Sequence, residues 1–253
     1  MKKALIVYFS GTGNSKAIAQ GYEMVLKNLG YATDLHTIEA LKTVTPHDVL
    51  VIGGPIYAGN FPDELINWTR KSIPVLQTPS KAIVYSTSAG LLNAHGVKSI
   101  GKKLLKKGYQ VVDTTAYEMP RNFYIDKYAP TSEVEQRIMF EKASKQIPLS
   151  LEKLSTDPTL SEFGSTLSID LFADLFRIMA KSMGKNFSIT DKCINCGRCE
   201  RDCPKGNIRL SDKKYLNKCM LCTRCIHNCP VNAITYKDKK IDQYKVHYNL
   251  DIV

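Results

Sequence analysis

Eight cysteines carry the most specific chemistry in this chain, and all of them fall between Cys193 and Pro230. They form two sets of identical spacing, C-x-x-C-x-x-C-x-x-x-C-P. The first is Cys193, Cys196, Cys199 and Cys203; the second is Cys219, Cys222, Cys225 and Cys229. Three cysteines at C-x-x-C steps can wrap the backbone around three corners of a cubane iron–sulfur cluster, whereas the fourth cannot easily return to the same cluster. Structural zinc sites use two ligand pairs with a longer spacer. Disulfide frameworks belong to small secreted domains. Neither fits two identical quartets in a chain of 253 residues, so the pattern points to two [4Fe-4S] clusters.

From Phe187 to Tyr236 the stretch resembles the two-cluster bacterial ferredoxins, with every ligand position matched. The resemblance implies crossed ligation, in which the fourth cysteine of each set serves the partner cluster. Cluster one then takes Cys193, Cys196, Cys199 and Cys229; cluster two takes Cys219, Cys222, Cys225 and Cys203. Pro204 and Pro230 turn the chain after each crossing ligand and offer no backbone donor. Short strands at Phe187-Ser188-Ile189 and Ala233-Ile234-Thr235-Tyr236 are expected to flank the cysteines and shield the clusters from water. With four thiolates on each cluster, His227 is expected to be exposed or hydrogen-bonding rather than a ligand.

The elements ahead of the cysteines alternate. Lys3 to Phe9 is a continuous apolar run, as in a central parallel strand buried on both faces. A helical pattern follows to about Leu29 and stops at Gly30. Further strands are expected at Tyr31–Ile38, Val49–Gly53, Ala82–Ser86 and Tyr109–Ala116, and helices from about Pro62 to Lys71, His95 to Lys107 and Ser132 to Gln146. This order predicts an α/β fold: a doubly wound five-stranded parallel sheet, then a small α+β domain holding the cysteines. Ligands of such sheets bind outside the carboxyl ends of the strands at the switch point. Three loops there, 10–15, 54–62 and 86–93, are rich in Gly, Ser and Thr.

The first loop, Ser10-Gly11-Thr12-Gly13-Asn14-Ser15, is not a nucleotide-triphosphate loop, because no glycine directly precedes Lys16, nor a dinucleotide fingerprint, because the third glycine would fall at Lys16. Its hydroxyls, and free N–H groups at a helix N-terminus, suit a single phosphate monoester. An ordinary glycine-rich turn is the other reading. Here the chain, over about residues 1–150, resembles the flavodoxins, whose first loop wraps the FMN phosphate; Ser10, Thr12, Gly13, Asn14 and Ser15 match position by position. By the same resemblance Pro55, Tyr57, Ala58 and Gly59 form the second loop. Tyr57 would stack on the flavin, and the Ala58–Gly59 peptide would turn its carbonyl to flavin N5 on reduction, a flip that glycine tolerates. Thr87, Ser88, Ala89 and Gly90 fall at the second ring-contact loop. The usual aromatic stacker is missing there, with Leu91, Leu92 or His95 in its place. Asn122, in Met119-Pro120-Arg121-Asn122-Phe123-Tyr124, resembles a ring-edge ligand of fused flavodoxin–ferredoxin proteins, and Arg121 would bring positive charge near flavin N1.

Residues 151–186 are expected to hold a linker, whose Ser, Thr and Pro begin at 148, and an amphipathic helix. That helix carries an apolar stripe from Leu167 to Met183, expected to pack between the halves rather than on a membrane. The ferredoxin-like part spans 187–236. In the tail, 237–253, Tyr244, Val246 and Tyr248 alternate as in one more strand.

The formal charge is +11, which two oxidised clusters with their thiolates lower to about +7. The lysines are scattered, so an acidic soluble redox partner is expected rather than nucleic acid. No apolar run spans a membrane, and no signal-peptide cleavage site follows the first apolar run; the reducing cytoplasm is the expected compartment. The fusion implies an electron carrier of the kind found in anaerobic prokaryotes. One rival is a flavin-dependent reductase with Tyr57, His95 or Tyr124 as proton donor and a pocket over the flavin. Another is a redox sensor that binds a partner through the 167–183 helix, which would then be exposed.

Overall fold

The computed structural model describes residues 1–253 apart from 91, 92, 126, 127, 157–159, 161, 162, 166, 249, 251 and 253, and only the backbone of 93–95, 168 and 169. Five strands, β1 (Lys3–Tyr8), β2 (Ala32–Thr37), β3 (Val49–Pro55), β4 (Lys81–Ser88) and β5 (Gln110–Glu118), form one sheet in the order β2-β1-β3-β4-β5. Every pairing in it is parallel. Strand order reverses between β1 and β3, so their carboxyl ends open a crevice. The strands alternate side chains between two cores. Ala4 and Ile6 pack against α1 (Asn14–Asn28) and α4 (Glu133–Thr156) through Ile18, Tyr22, Phe140 and Ile147. Leu5 and Val7 pack on the other side, against α2 (Asp63–Ser72) and α3 (Asn93–Leu105), through Leu65, Ile100 and Leu104.

Helix α4 corrects the expected end near Gln146: it continues through Pro148 to Thr156. Proline removes one backbone bond from a helix, but distant partners hold the later turns. Ile147 and Leu151 are buried in the core. Ser150 Oγ donates to the buried Asp113 of β5 at 2.6 Å and contacts the Tyr22 hydroxyl at 2.8 Å. Lys153 pairs with Asp113 as well. The stretch 148–156 is therefore helix rather than linker, and Leu160 N–H then donates to the Val111 carbonyl on edge strand β5 at 2.8 Å.

Helix α5 (Leu167–Gly184) follows. Its apolar stripe was expected between the halves, and most of it is not there. The inward face uses buried Ala173 and Ala180 and half-buried Phe176 and Met183. It is fixed by Arg177 to Asp63 at 2.6 Å and by Asn60 Nδ2 to Asp170 at 2.8 Å. Leu167, Leu171, Phe172, Leu175, Ile178 and Met179 are each at least 50% exposed. Small residues and paired charges let the helix lie close to the body, which turns the bulky stripe outward.

The cysteine-bearing part is built on β6 (Phe187–Ile189), antiparallel to β9 (Ile234–Tyr236), with β10 (Lys239–Lys240) beside it; β7 (Ile208–Arg209) pairs with β8 (Lys214–Tyr215). Two single-turn helices, α6 (Arg198–Arg201) and α7 (Arg224–His227), lie inside the two cysteine sets. Phe187, Ile226, Ile234 and Tyr236 form the small core. The tail differs from expectation. Residues 241–248 form no strand; Val246, Tyr248, Leu250 and Ile252 pack instead against the α1–α4 core. Their alternation serves a helical surface, not a sheet edge. Among the described residues no helix is long and apolar enough to cross a membrane.

Asp113 holds Ser150, Thr115 and Lys153 together. Asp113→Ala is expected to destabilise the chain by about 2–4 kcal/mol, since buried partners lose their acceptor; urea unfolding of the full-length chain measures it, and a loss within about 0.5 kcal/mol would show that α4 is held otherwise.

Candidate functional site

The carboxyl ends of β1, β3 and β4 and the loop after β5 enclose a cavity of about 360 Å³. Ser10, Thr12, Asn14 and Ser15 line it from the first loop, Pro55, Tyr57 and Ala58 from the second, Thr87, Ser88 and Ala89 from the third, and Asn122 from the fourth. Gly13, Gly59 and Gly90 shape these loops without lining the cavity; Gly13 precedes α1 with φ 113°. Ala58 and Gly59 take φ of 50° and 84° in a tight turn closed by Tyr57 N–H to the Asn60 carbonyl at 2.8 Å. A left-handed alanine is uncommon outside functional turns. The proposed second-face residues Leu91 and Leu92, and the His95 side chain, lie outside the described residues.

Polar groups converge on the first loop. Ser10 Oγ accepts from Gly13 N–H at 3.1 Å, Ser15 Oγ meets Thr87 Oγ1 at 2.7 Å, and Asn122 Nδ2 donates to Thr12 Oγ1. Asn14 is a strut: its amide donates to the Pro120 carbonyl at 2.8 Å and accepts from the Tyr244 hydroxyl at 2.5 Å. Its side chain is thus occupied, leaving its backbone at the α1 N-terminus to face a ligand. No acidic residue stands in the first turn of α1, and among the described residues lining the cavity Arg121 alone is charged. Ser88 Oγ is buried without a partner. A helix N-terminus, hydroxyls, one cation and an orphaned hydroxyl suit a phosphate-bearing polar ligand.

The sequence reading missed part of the wall. Phe123 and Tyr128 lie 6.4 Å apart, centroid to centroid, and the Arg121 guanidinium sits 4.7 Å over Tyr128. Phe176 of α5 and Leu221 and Cys222 of the second cysteine set also line the cavity. Only the fold brings these distant segments there; the Leu167–Met183 stripe was the one available signal, and it was assigned to packing. Tyr124 turns away, edge-on to His227 with centroids 5.7 Å apart, and burial pushes its phenol up to about 12. A second cavity, of about 340 Å³, lies beyond Tyr57 and Phe176, which wall both; Lys181, Lys218 and Cys219 border it.

The cysteines separate into two quartets that cross the sequence sets. Cys193, Cys196, Cys199 and Cys229 line one hollow; Cys203, Cys219, Cys222 and Cys225 line another. All eight thiols are free. Both loops turn by the same device: Asn195 and Gly197 in the first, and Leu221 and Thr223 in the second, have φ between 53° and 73°. Left-handed backbone is costly for a β-branched threonine, and no pattern of residue types foretold it. Backbone N–H groups of Asn207, Leu221 and Ala233 point at the sulfurs of Cys203, Cys219 and Cys229 at 3.3, 3.4 and 3.2 Å. Such bonds stabilise thiolate ligands and tune an iron–sulfur centre, so the donor set fits that group.

Three contacts bind the inner quartet to the cavity. A Cβ on Gly11 would lie 2.7 Å from the Cys222 carbonyl oxygen and 3.0 Å from the Tyr57 hydroxyl. Arg224, between Cys222 and Cys225, donates to the Ser10 carbonyl at 2.7 Å, the Asp202 carbonyl at 3.0 Å and Glu39 at 2.9 Å. His227 is buried, and burial pushes its imidazole down to about 4. Its Nδ1 accepts from Tyr244 N–H at 2.8 Å, so Nε2 carries the hydrogen and donates to the Asn122 carbonyl at 2.8 Å. It is a neutral bridge between the cysteine loop, the tail and the cavity wall.

Comparison with known proteins agrees with both halves. The flavodoxin domain family matches residues 5–127, and the 4Fe-4S binding domain family matches 188–209 and 213–235. Among solved structures, flavodoxin 1 from Bacillus cereus is 18% identical, covering 60% of this chain and 97% of its own, with a TM-score of 0.44. The two-electron reduced flavodoxin of Megasphaera elsdenii is 21% identical, covering 56% and 98%, with a TM-score of 0.40.

Arg224→Met should leave the visible spectrum of the iron–sulfur part in place while weakening FMN binding about tenfold or more, from the loss of a charged bond to the Ser10 carbonyl. Fluorescence titration with FMN reads it; an unchanged dissociation constant would mean that the loop holds its shape without the arginine.

Proposed function

We propose that this chain, which joins a flavodoxin domain to a 4Fe-4S binding domain, moves low-potential electrons between soluble redox partners through two [4Fe-4S] clusters and an FMN. When bound, the flavin supplies one- and two-electron chemistry and each cluster supplies one-electron chemistry. The observation that carries this reading is the contact of Cys222 with Gly11, which sets the inner quartet against the flavin cavity. Cys193, Cys196, Cys199 and Cys229 would hold the outer cluster, and Cys196 is exposed, giving a partner access to that end. Cys203, Cys219, Cys222 and Cys225 would hold the inner one. Ser10, Thr12, Ser15 and the α1 N-terminus would hold the FMN phosphate, with Tyr57 and the aromatic pair Phe123–Tyr128 beside the ring. Arg121 would add positive charge that favours a reduced, anionic ring. The lysine-rich surface fits an acidic partner.

A reductase is the second reading, and the 340 Å³ cavity beyond Tyr57 favours it. The proton donors available to it are poor. Burial and the neighbouring Cys222 push the Tyr57 phenol well above its ordinary range, away from the matched acidity a general acid needs, and Tyr124 faces elsewhere. Lys181→Trp, placed at the exposed rim of that cavity, would obstruct it; under the carrier reading, electron flow to the flavin continues unchanged, and a selective loss of turnover with an organic acceptor would favour the reductase.

Anaerobic reconstitution with iron, sulfide and FMN, followed by redox titration with visible absorbance and EPR, tests the main reading. Two interacting cluster signals and a flavin transition are expected; FMN that passes freely through a desalting column would refute it. Gly11→Val should push the cysteine loop away and slow electron arrival at the flavin in stopped-flow by about tenfold or more, as misplacement near an ångström does in other sites, with both cofactors still bound.

A further inference from the structure

The 340 Å³ cavity beyond Tyr57 is built by segments far apart in sequence: the start of α2, the inner face of α5, the turn after Cys203 and the start of the second cysteine set. Tyr57, Phe61, Phe176 and Met220 give it apolar walls, and four cations and two carboxylates border it. Both carboxylates are engaged: Asp63 pairs with Arg177 at 2.6 Å, and Glu64 pairs with Lys205. Among the described residues the other two cations, Lys181 and Lys218, have no acidic partner. Glu64 Oε2 is buried without a partner, as Ser88 Oγ is in the first cavity. We propose that this cavity is a binding site for a small aromatic carboxylate that carries a hydroxyl. The carboxylate would lie on Lys181 and Lys218, the ring against Phe61, Phe176 and Met220, and the hydroxyl would donate to Glu64.

The volume is that of a small-molecule site, and apolar walls with a few polar groups are the usual lining of one. Aromatic rings and a thioether favour a flat, ring-bearing ligand. With both carboxylates paired, the excess positive charge of the border falls to Lys181 and Lys218. A lysine ammonium is a point charge that takes a carboxylate from many directions and makes charge-assisted bonds to it. A wholly apolar ligand would leave both lysines and Glu64 unused, and a cation would meet the excess positive charge. Lys205 already neutralises Glu64, so what its second oxygen lacks is a neutral O–H donor rather than an ammonium. Cys219 borders the cavity, and Tyr57 walls both cavities. A carboxylate held here adds negative charge beside the inner quartet, which disfavours reduction of a centre held there. The inference concerns binding alone and rests on neither the carrier nor the reductase reading.

Anaerobic calorimetry of the full-length protein, loaded with clusters and FMN and titrated with 4-hydroxybenzoate, tests this; bound FMN keeps the probe out of the first cavity. One molecule per chain is expected, with a dissociation constant below about 1 mM. Phenol, which lacks the carboxylate, and benzoate, which lacks the hydroxyl, should each bind at least about tenfold more weakly. Lys218→Glu and Lys181→Trp, both at exposed positions, should weaken the probe at least about tenfold with the visible spectrum unchanged. In a redox titration followed by EPR, the probe should lower the midpoint potential of one cluster and leave the other in place. No heat at about 10 mM probe would overturn the proposal, as would binding indifferent to both variants. Phenol or benzoate binding as tightly as the probe would overturn it too: in the first case the lysines balance only the charge of the inner quartet, and in the second Glu64 takes no part.

Discussion

The second cysteine loop lies against the first loop of the sheet with no room for a side chain at Gly11, and most of the other inter-half features follow from that contact. The Cys222 carbonyl can face Gly11 only if its loop turns tightly, which Leu221 and Thr223 accomplish in left-handed backbone. Such turns cost about 1–3 kcal/mol each and persist only where surrounding contacts over-determine them. Arg224 and His227, on the short helix that follows, supply those contacts by reaching the Ser10 and Asn122 carbonyls.

The joint therefore has polar fixing points beside the apolar cluster that Ile125 shares with Leu221 and Ile226. An apolar joint of similar area would tolerate sliding, because hydrophobic contact is non-directional. A guanidinium with three oxygen partners and an imidazole with a defined donor and acceptor fix both distance and orientation. Burying Arg224 is costly unless its bonds are satisfied, and Ser10, Asp202 and Glu39 accept from it. The neutral state of His227 matters as much: with Tyr244 N–H donating to Nδ1, only the Nε2–H form can also donate to Asn122. Two redox sites whose coupling falls off steeply with distance need a joint of this stiffness more than a strong one.

Local pattern carried the sheet and the cysteine quartets into view. Apolar runs such as Lys3 to Phe9 reveal a buried strand because burial on both faces leaves no choice of residue type, and four thiolates at fixed spacing admit few chemistries. What stayed hidden depends on partners far along the chain. Pro148 argued for a helix end; Asp113, distant in sequence, overrode it through Ser150 and Lys153. The alternation in the tail argued for a strand, yet period two also suits an extended strap across the ridges of α1 and α4. Asn14 read as a phosphate ligand because its position matches; only the fold shows Pro120 and Tyr244 occupying its amide. Leu221 carried no signal of its own as a cavity wall, and Phe176 only that of the stripe it belongs to.

Helix α5 shows how one element can serve two surfaces by dividing its residues by size. Toward the body it offers alanines, so its axis comes close enough for Phe176 to reach the cavity at the carboxyl ends of the strands and for Gly184 to lie directly against Cys219, where a side chain would collide. Large residues on that side would have lifted the helix away and opened the wall between the two cavities. The bulk displaced from the inner face had to go elsewhere or be absent. Leucine, isoleucine, methionine and phenylalanine stand exposed there, where polar residues would serve solubility better. The ordinary logic of an amphipathic helix is thus inverted here. The close fit of the inner face brings Phe176 and Gly184 against both halves, and the bulk that this fit excludes stands on the outer face.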